Sequence, residues 1–183
     1  MSRKYINEFI KLKCAPDLLA LKVFPNAKEI TESMGAYRAV MKWIKGTALS
    51  TDDPYVHVYC IGDGVSPRTG ALFAHMTRWN VTSIDPALRE KYQNIPVKRL
   101  QVIRKPIAEV RVVYREEKDV AIIVLVHAHV SMNEVLKAIQ YPTRHVVAIP
   151  CCKPQDIKNR VYLGYQDHHI WSPKNTVKVW INV

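Results

Sequence analysis

Apolar positions along the chain change their spacing three times, and each change marks a different kind of structure. Near the start, Tyr5, Ile6, Phe9 and Leu12 recur at helical intervals. That spacing predicts a helix from Ser2 to Cys14, capped by Ser2 and stopped by Pro16. A second helix is expected after Asn26, its cap, with Ile30, Met34, Tyr37, Met41 and Ile44 along one face and Gly46 at its end. Lys28, Arg38, Lys42 and Lys45 fall on the opposite face. They read either as a solvated surface or as a nucleic-acid contact. From Gly46 to Pro54 turn-forming residues take over.

Beyond that stretch, short β-rich runs alternate with helical ones. Tyr55 to Ile61 predicts a strand, Thr69 to Arg78 a helix, Val81 to Ile84 a strand ending at Asp85, and Pro86 to Tyr92 a brief helix. Leu100 to Ile103 and Ala108 to Tyr114 compete for the third strand. Val120 to Val126 is an unbroken apolar run, as in strands buried on both faces of a parallel sheet. Ser131 and Glu134 have the spacing of a capping box at the head of a helix through Ile139, and His145 to Ile149 reads as the next buried strand. In the tail, Val161 to Ile170 and Thr176 to Val183 flank a turn cluster, and Val177, Val179, Ile181 and Val183 alternate as in a strand. The expected fold is α/β and Rossmann-like: a mostly parallel central sheet, a C-terminal antiparallel hairpin and N-terminal helices. A single domain over residues 1–183 is expected, with a helical region (1–50), a core (51–160) and the hairpin (161–183).

Composition adds limits. The chain is 48% hydrophobic and 23% charged, a globular mixture that excludes disorder as the organising state. No run approaches the roughly 18 apolar residues of a membrane span. Met1 to Tyr5 lacks the apolar core of a secretory signal, so a cytoplasmic location is expected. Cys14, Cys60, Cys151 and Cys152 are too few for a disulfide scaffold and read as reduced thiols. The net charge of +11 changes the picture more. It attracts polyanions by counterion release, so nucleic acid, RNA foremost, is the expected partner, with a protein partner also open and a charge that only keeps the chain soluble as the alternative.

The candidate chemistry lies at strand ends. Ile61-Gly62-Asp63-Gly64 closes a strand in glycines just before a helix, where backbone can approach a ligand without a β-carbon in the way. Asp85 follows about twenty residues on, placed to accept both hydroxyls of a ribose. His127 and His129, two apart at the end of the apolar run, would face one side in extended chain, beside Cys151 and Cys152 at the end of the next strand. No Cys-x-x-Cys spacing accompanies them. No metal is assigned, and the thiols are read as pocket lining. His168-His169 reads as an exposed turn.

Residues 55 to 152 resemble the cofactor-binding core of class I S-adenosylmethionine-dependent methyltransferases. Ile61-Gly62-Asp63-Gly64 with Gly70-Ala71-Leu72-Phe73-Ala74 is similar to that family's first motif, and Ser83-Ile84-Asp85-Pro86 to its second. Val126 to Val130 and Ala148 to Cys152 are similar to its fourth and fifth strand ends. The resemblance implies S-adenosylmethionine held by Ile61, Gly62, Asp63, Gly64, Asp85 and Pro86, with His127 as catalytic residue on the acceptor side. It implies a methyltransferase, acting on RNA in view of the charge. The alternative is an inactive module of the same fold that binds RNA or another partner. Ser66-Pro67-Arg68-Thr69 replaces the family's third glycine, which leaves Arg68 to meet an anion. Arg68, Arg78 and Lys153 are expected to line the approach.

Overall fold

The computed structural model describes residues 2–151 and 162–183. Its strands are β1 (Val56–Ile61), β2 (Asn80–Ile84), β3 (Leu100–Ile103), β4 (Val112–Val113), β5 (Val120–Val126), β6 (Ile139–Gln140), β7 (Thr143–Ile149), β8 (Leu163–Gln166) and β9 (Thr176–Ile181). Seven of them form one sheet in the order β3-β2-β1-β5-β7-β9-β8. From β3 to β7 every pairing is parallel, and β9 runs antiparallel between β7 and β8. The expected α/β architecture is therefore present, including the closing hairpin. The strand order reverses between β1 and β5, which opens a crevice at their carboxyl ends.

Alternation along the strands separates two apolar layers. Val56, Val58 and Cys60 of β1 and Val120, Ile122 and Val124 of β5 face one side, and Tyr59, Ile61, Ala121, Ile123 and Leu125 the other. The first side is covered by α1 (Lys4–Ile10), α2 (Ala15–Ala20), α3 (Ala27–Ile44) and α4 (Arg68–Met76). The second carries α5 (Met132–Ala138) and the small β4–β6 sheet. All seven residues of β5 are buried, as an unbroken apolar run at the centre of a covered sheet requires.

Several expectations change. Pro16 begins a helix rather than stopping one, because it occupies the first turn of α2, where its missing N–H costs nothing. α1 ends earlier, at Ile10, and Ser2 lies one residue before its N-cap, Arg3, which makes no side-chain cap. The expected helix at Pro86 to Tyr92 is only a 3₁₀ turn over Glu90–Tyr92. Both candidates for the third strand are strands: β3 joins the main sheet, while β4 pairs with β6 on the covered face. α3 is buried all round from Thr31 to Tyr37 and again at Ala39, Val40, Trp43 and Ile44, while Ile30 and Met41 are half-buried and Arg38 and Lys42 exposed. The capping box at Ser131 and Glu134 forms as expected, and Asn26 caps α3 by accepting from Glu29 N–H at 3.1 Å.

Candidate functional site

The crevice predicted by strand order contains a cleft of about 390 Å³, bordered by the ends of β1, β2 and β5. That volume lies within the roughly 300–1,000 Å³ typical of small-molecule sites. Register places its parts. Ile61 pairs with Ile84, and Gly62 N–H donates to the Ile84 carbonyl at 2.9 Å, so Asp85 stands level with the glycine turn. Gly62 and Gly64 have φ of 72° and 80°, a left-handed backbone that L side chains rarely adopt. A β-carbon on Gly62 would also come within 2.6 Å of that of Ala128, across the cleft floor.

Asp85 is half-buried at the cleft rim. Its Oδ2 accepts from Gly64 N–H at 2.9 Å and its Oδ1 from Ala87 N–H at 2.7 Å. A carboxylate has about four acceptor positions, so each oxygen keeps one for a ligand hydroxyl. Pro86 is exposed beside it, and Ile61 and Ile84 supply apolar wall.

Asp63 has a different position. It is 3% exposed and does not border the cleft. Its carboxylate accepts from Thr69 N–H and Gly70 N–H, both at 3.0 Å, and from the Ser83 hydroxyl at 2.8 Å. Asp63 thus satisfies the first amides of α4 itself, where a phosphate would sit in a dinucleotide-binding turn. The place of the missing third glycine is also explained. Ser66 donates to the Val23 carbonyl at 2.6 Å, and Arg68 donates to the Asp63 carbonyl while its Nε lies 3.0 Å from Glu29 Oε2. The loop is pinned to α3 and to the segment before it by side chains that glycine lacks, so Arg68 meets a protein carboxylate.

His127 ends β5 with a φ of 53°, and its N–H donates to the Ile149 carbonyl at 2.9 Å. The chain leaves extended geometry there, so His127 and His129 do not share a partner. His127 Nε2 lies 3.2 Å from Glu32 Oε1 on α3, whereas His129 Nε2 lies 3.0 Å from Cys151 Sγ. The His127 contact falls short of hydrogen-bond geometry, and its Nδ1 is buried without a hydrogen-bond partner among the described residues. Glu32 is 1% exposed. Burial pushes its carboxyl upward, but His127 and Lys28, the latter at 2.8 Å, together outweigh this and hold it below its usual range.

Glu32 and Glu29 are the residues that sequence reasoning missed. The available signal was the run Ser33, Gly35, Ala36 and Ala39, small residues that let α3 pack closely and so carry Glu32 inside. Arg78 lies before β2, at the opposite edge of the sheet from the cleft, and does not line the approach. Cys152 and Lys153 lie outside the described residues. Cys60 is buried, and burial raises its thiol well above the usual range. Among the described residues no three His, Cys, Asp or Glu side chains gather as metal ligands. His168 is exposed as expected, but His169 is half-buried, its Nδ1 2.7 Å from Ser2 Oγ.

No protein-family model matches the chain, and no curated protein matches it either. Solved structures do. A point mutant of MtNAS in complex with S-adenosylmethionine aligns with a TM-score of 0.56 at 13% identity, over 98% of this chain and 70% of that one. MtNAS in complex with MTA and tNA aligns with a TM-score of 0.50 at 12% identity, over 98% and 69%. At such identities the likeness is one of fold.

Proposed function

From the class I methyltransferase-like fold, we propose that the protein binds S-adenosylmethionine in the Asp85 cleft and transfers its methyl group to RNA. The observation that carries the cofactor assignment is Asp85: a half-exposed carboxylate, oriented by Gly64 N–H, with acceptor capacity left over beside a glycine turn that presents no β-carbon. The neighbour with S-adenosylmethionine bound supports the same assignment. Bound there, the cofactor supplies an electrophilic methyl group on a sulfonium. The chain's own residues then do three things. Asp85 takes the ribose hydroxyls, Ile61, Ile84 and Val126 exclude water from the apolar side of the cleft, and His127 presents its ring to the acceptor. Glu32 lies 3.2 Å from that ring and steadies it, and His127 takes up a proton released by the acceptor. RNA as acceptor is supported by the net charge of +11.

Titration calorimetry with S-adenosylmethionine tests the cofactor assignment. The wild-type chain is expected to bind, and Asp85→Ala to lose about 1.5–3 kcal/mol, the range for hydrogen bonds to a charged group, which is roughly a 10- to 150-fold weaker Kd. Absence of binding by the wild type, or equal affinity of the variant, refutes the assignment.

A further inference from the structure

A second concavity, a groove of about 510 Å³, opens between α1, the later turns of α3 and the segment that follows β8. Four cations border it: Lys4, Arg38, Lys42 and Lys45. Its carboxylates, Glu8 and Asp167, are both engaged. Glu8 Oε2 lies 2.8 Å from Arg38 Nη2. Asp167, 6% exposed, accepts from the Tyr5 hydroxyl and from His169 N–H at 3.0 Å. Lys42 Nζ rests 4.5 Å from the centre of the Tyr165 ring, a contact that leaves its charge intact.

Lys4, Lys42 and Lys45 therefore face the groove with no ion-pair partner among the described residues. Lys28, on the same helix, differs: it is tied to Glu32 at 2.8 Å. Three like charges bordering one groove repel, and an anion relieves that repulsion. Arg38, Lys42 and Lys45 follow one another at four and three residues, so they form a row along one helix face.

We propose that this groove holds the phosphodiester backbone of a single-stranded RNA whose acceptor nucleotide lies in the Asp85 cleft. The proposal rests on the methyltransferase reading and adds the path of its substrate. α3 connects the two places: Glu32 touches His127 at the cleft, and Lys42, ten residues later, borders the groove. At about 1.5 Å per residue that is about 15 Å along the helix axis. A small phosphorylated metabolite does not cover that distance. Four or five stacked nucleotides, at about 3.4 Å each, do. Pairing of Gln166 with Thr176 and of Ala148 with Lys178 also puts the end of β8 at the edge of the sheet where β5 and β7 end.

Fluorescence anisotropy with a labelled single-stranded RNA of roughly 12 nucleotides, within the size range of such sites, tests the proposal. The full chain is compared with Lys42→Glu/Lys45→Glu and with a control of equal charge change, Lys98→Glu/Lys137→Glu, at exposed sites elsewhere. The groove variant is expected to bind about tenfold or more weakly for every sequence tried, with a salt slope shallower by about 1.4, or about 0.7 for each phosphate no longer neutralised. The control is expected to stay near wild type. Equal weakening of both variants, wild-type affinity in the groove variant, or full displacement of the RNA by millimolar inorganic phosphate overturns the groove. RNA binding absent from the wild type overturns RNA as substrate as well. Calorimetry with S-adenosylmethionine on the same preparations shows separately whether the cofactor reading stands.

Discussion

Glu32 is a carboxylate with 1% exposure, on a helix where Ser33, Gly35, Ala36 and Ala39 are also buried. Such a charge persists only if paired, and its partners, Lys28 and His127, come one from its own helix and one from the cleft. It meets His127 and does not itself border the cleft. Glu32→Gln keeps the shape and an acceptor oxygen but removes the carboxylate charge beside the His127 ring. Turnover with a methyl acceptor is therefore expected to fall about tenfold or more, a part of the roughly 10²–10⁴-fold that acid–base assistance contributes, while calorimetric affinity for S-adenosylmethionine stays unchanged. A loss of cofactor affinity equal to the loss of turnover would assign Glu32 to packing. The glycines and Asp85 were legible in the sequence because their residue types are scarce and their spacing is local. The internal engagement of Asp63 and the reach of Glu32 to His127 were not, because they depend on which groups the fold brings alongside.

At the scale of elements, α3 is the piece whose environment departs most from its pattern. The apolar spacing predicts one buried face, yet the helix is enclosed by the sheet, by α1 and α4 and by the segment before β9. The cause is close approach: a β-carbon at Gly35 would come within 2.5 Å of Ile170 Cδ1, and Trp171 N–H donates to Thr31 Oγ1 at 3.0 Å. Gly35→Val is expected to lower stability by about 1–3 kcal/mol through overpacking, despite the better helix propensity of valine. A denaturant titration showing no loss would mean that Ile170 can move aside freely. The same close packing fixes both ends of α3: with the helix locked against the sheet, Glu29 stays beside Arg68, Glu32 beside His127, and Lys42 and Lys45 at the groove. Strands were more legible than helices here. β5 is an unbroken apolar run that fits only a covered sheet, and Val146 to Ile149 of β7 is a shorter one, whereas the helical segments near Pro16 and Pro86 turned on which backbone N–H groups had partners.

For the whole molecule, two histidines far from the cleft contribute to the acid side of the stability curve. Burial pushes His57 and His145 down to about 4 from the usual 6.5. The unfolded chain takes up protons below about pH 6.5 that the folded chain refuses until about pH 4, so stability falls as pH drops through that window. The slope is about 1.4 kcal/mol per pH unit for a fully buried group such as His145, which is 6% exposed. Thermal unfolding is expected at a lower midpoint at pH 5 than at pH 7.5, with a smaller difference in His145→Gln; an equal difference would place the titration elsewhere. The sequence by itself determined the alternation of the main-sheet strands with α4 and α5, the two-faced burial of the central strand and the glycine turn with its acid. Those features follow from the periodicity of neighbouring residues, which survives in one dimension. Only the tertiary structure decided that Asp63 serves the loop, that Glu32 meets His127 and that Lys4 joins Lys42 and Lys45 in one groove. These are pairings between residues far apart in the chain, fixed by how α1 and α3 dock on the sheet, and no local spacing encodes them.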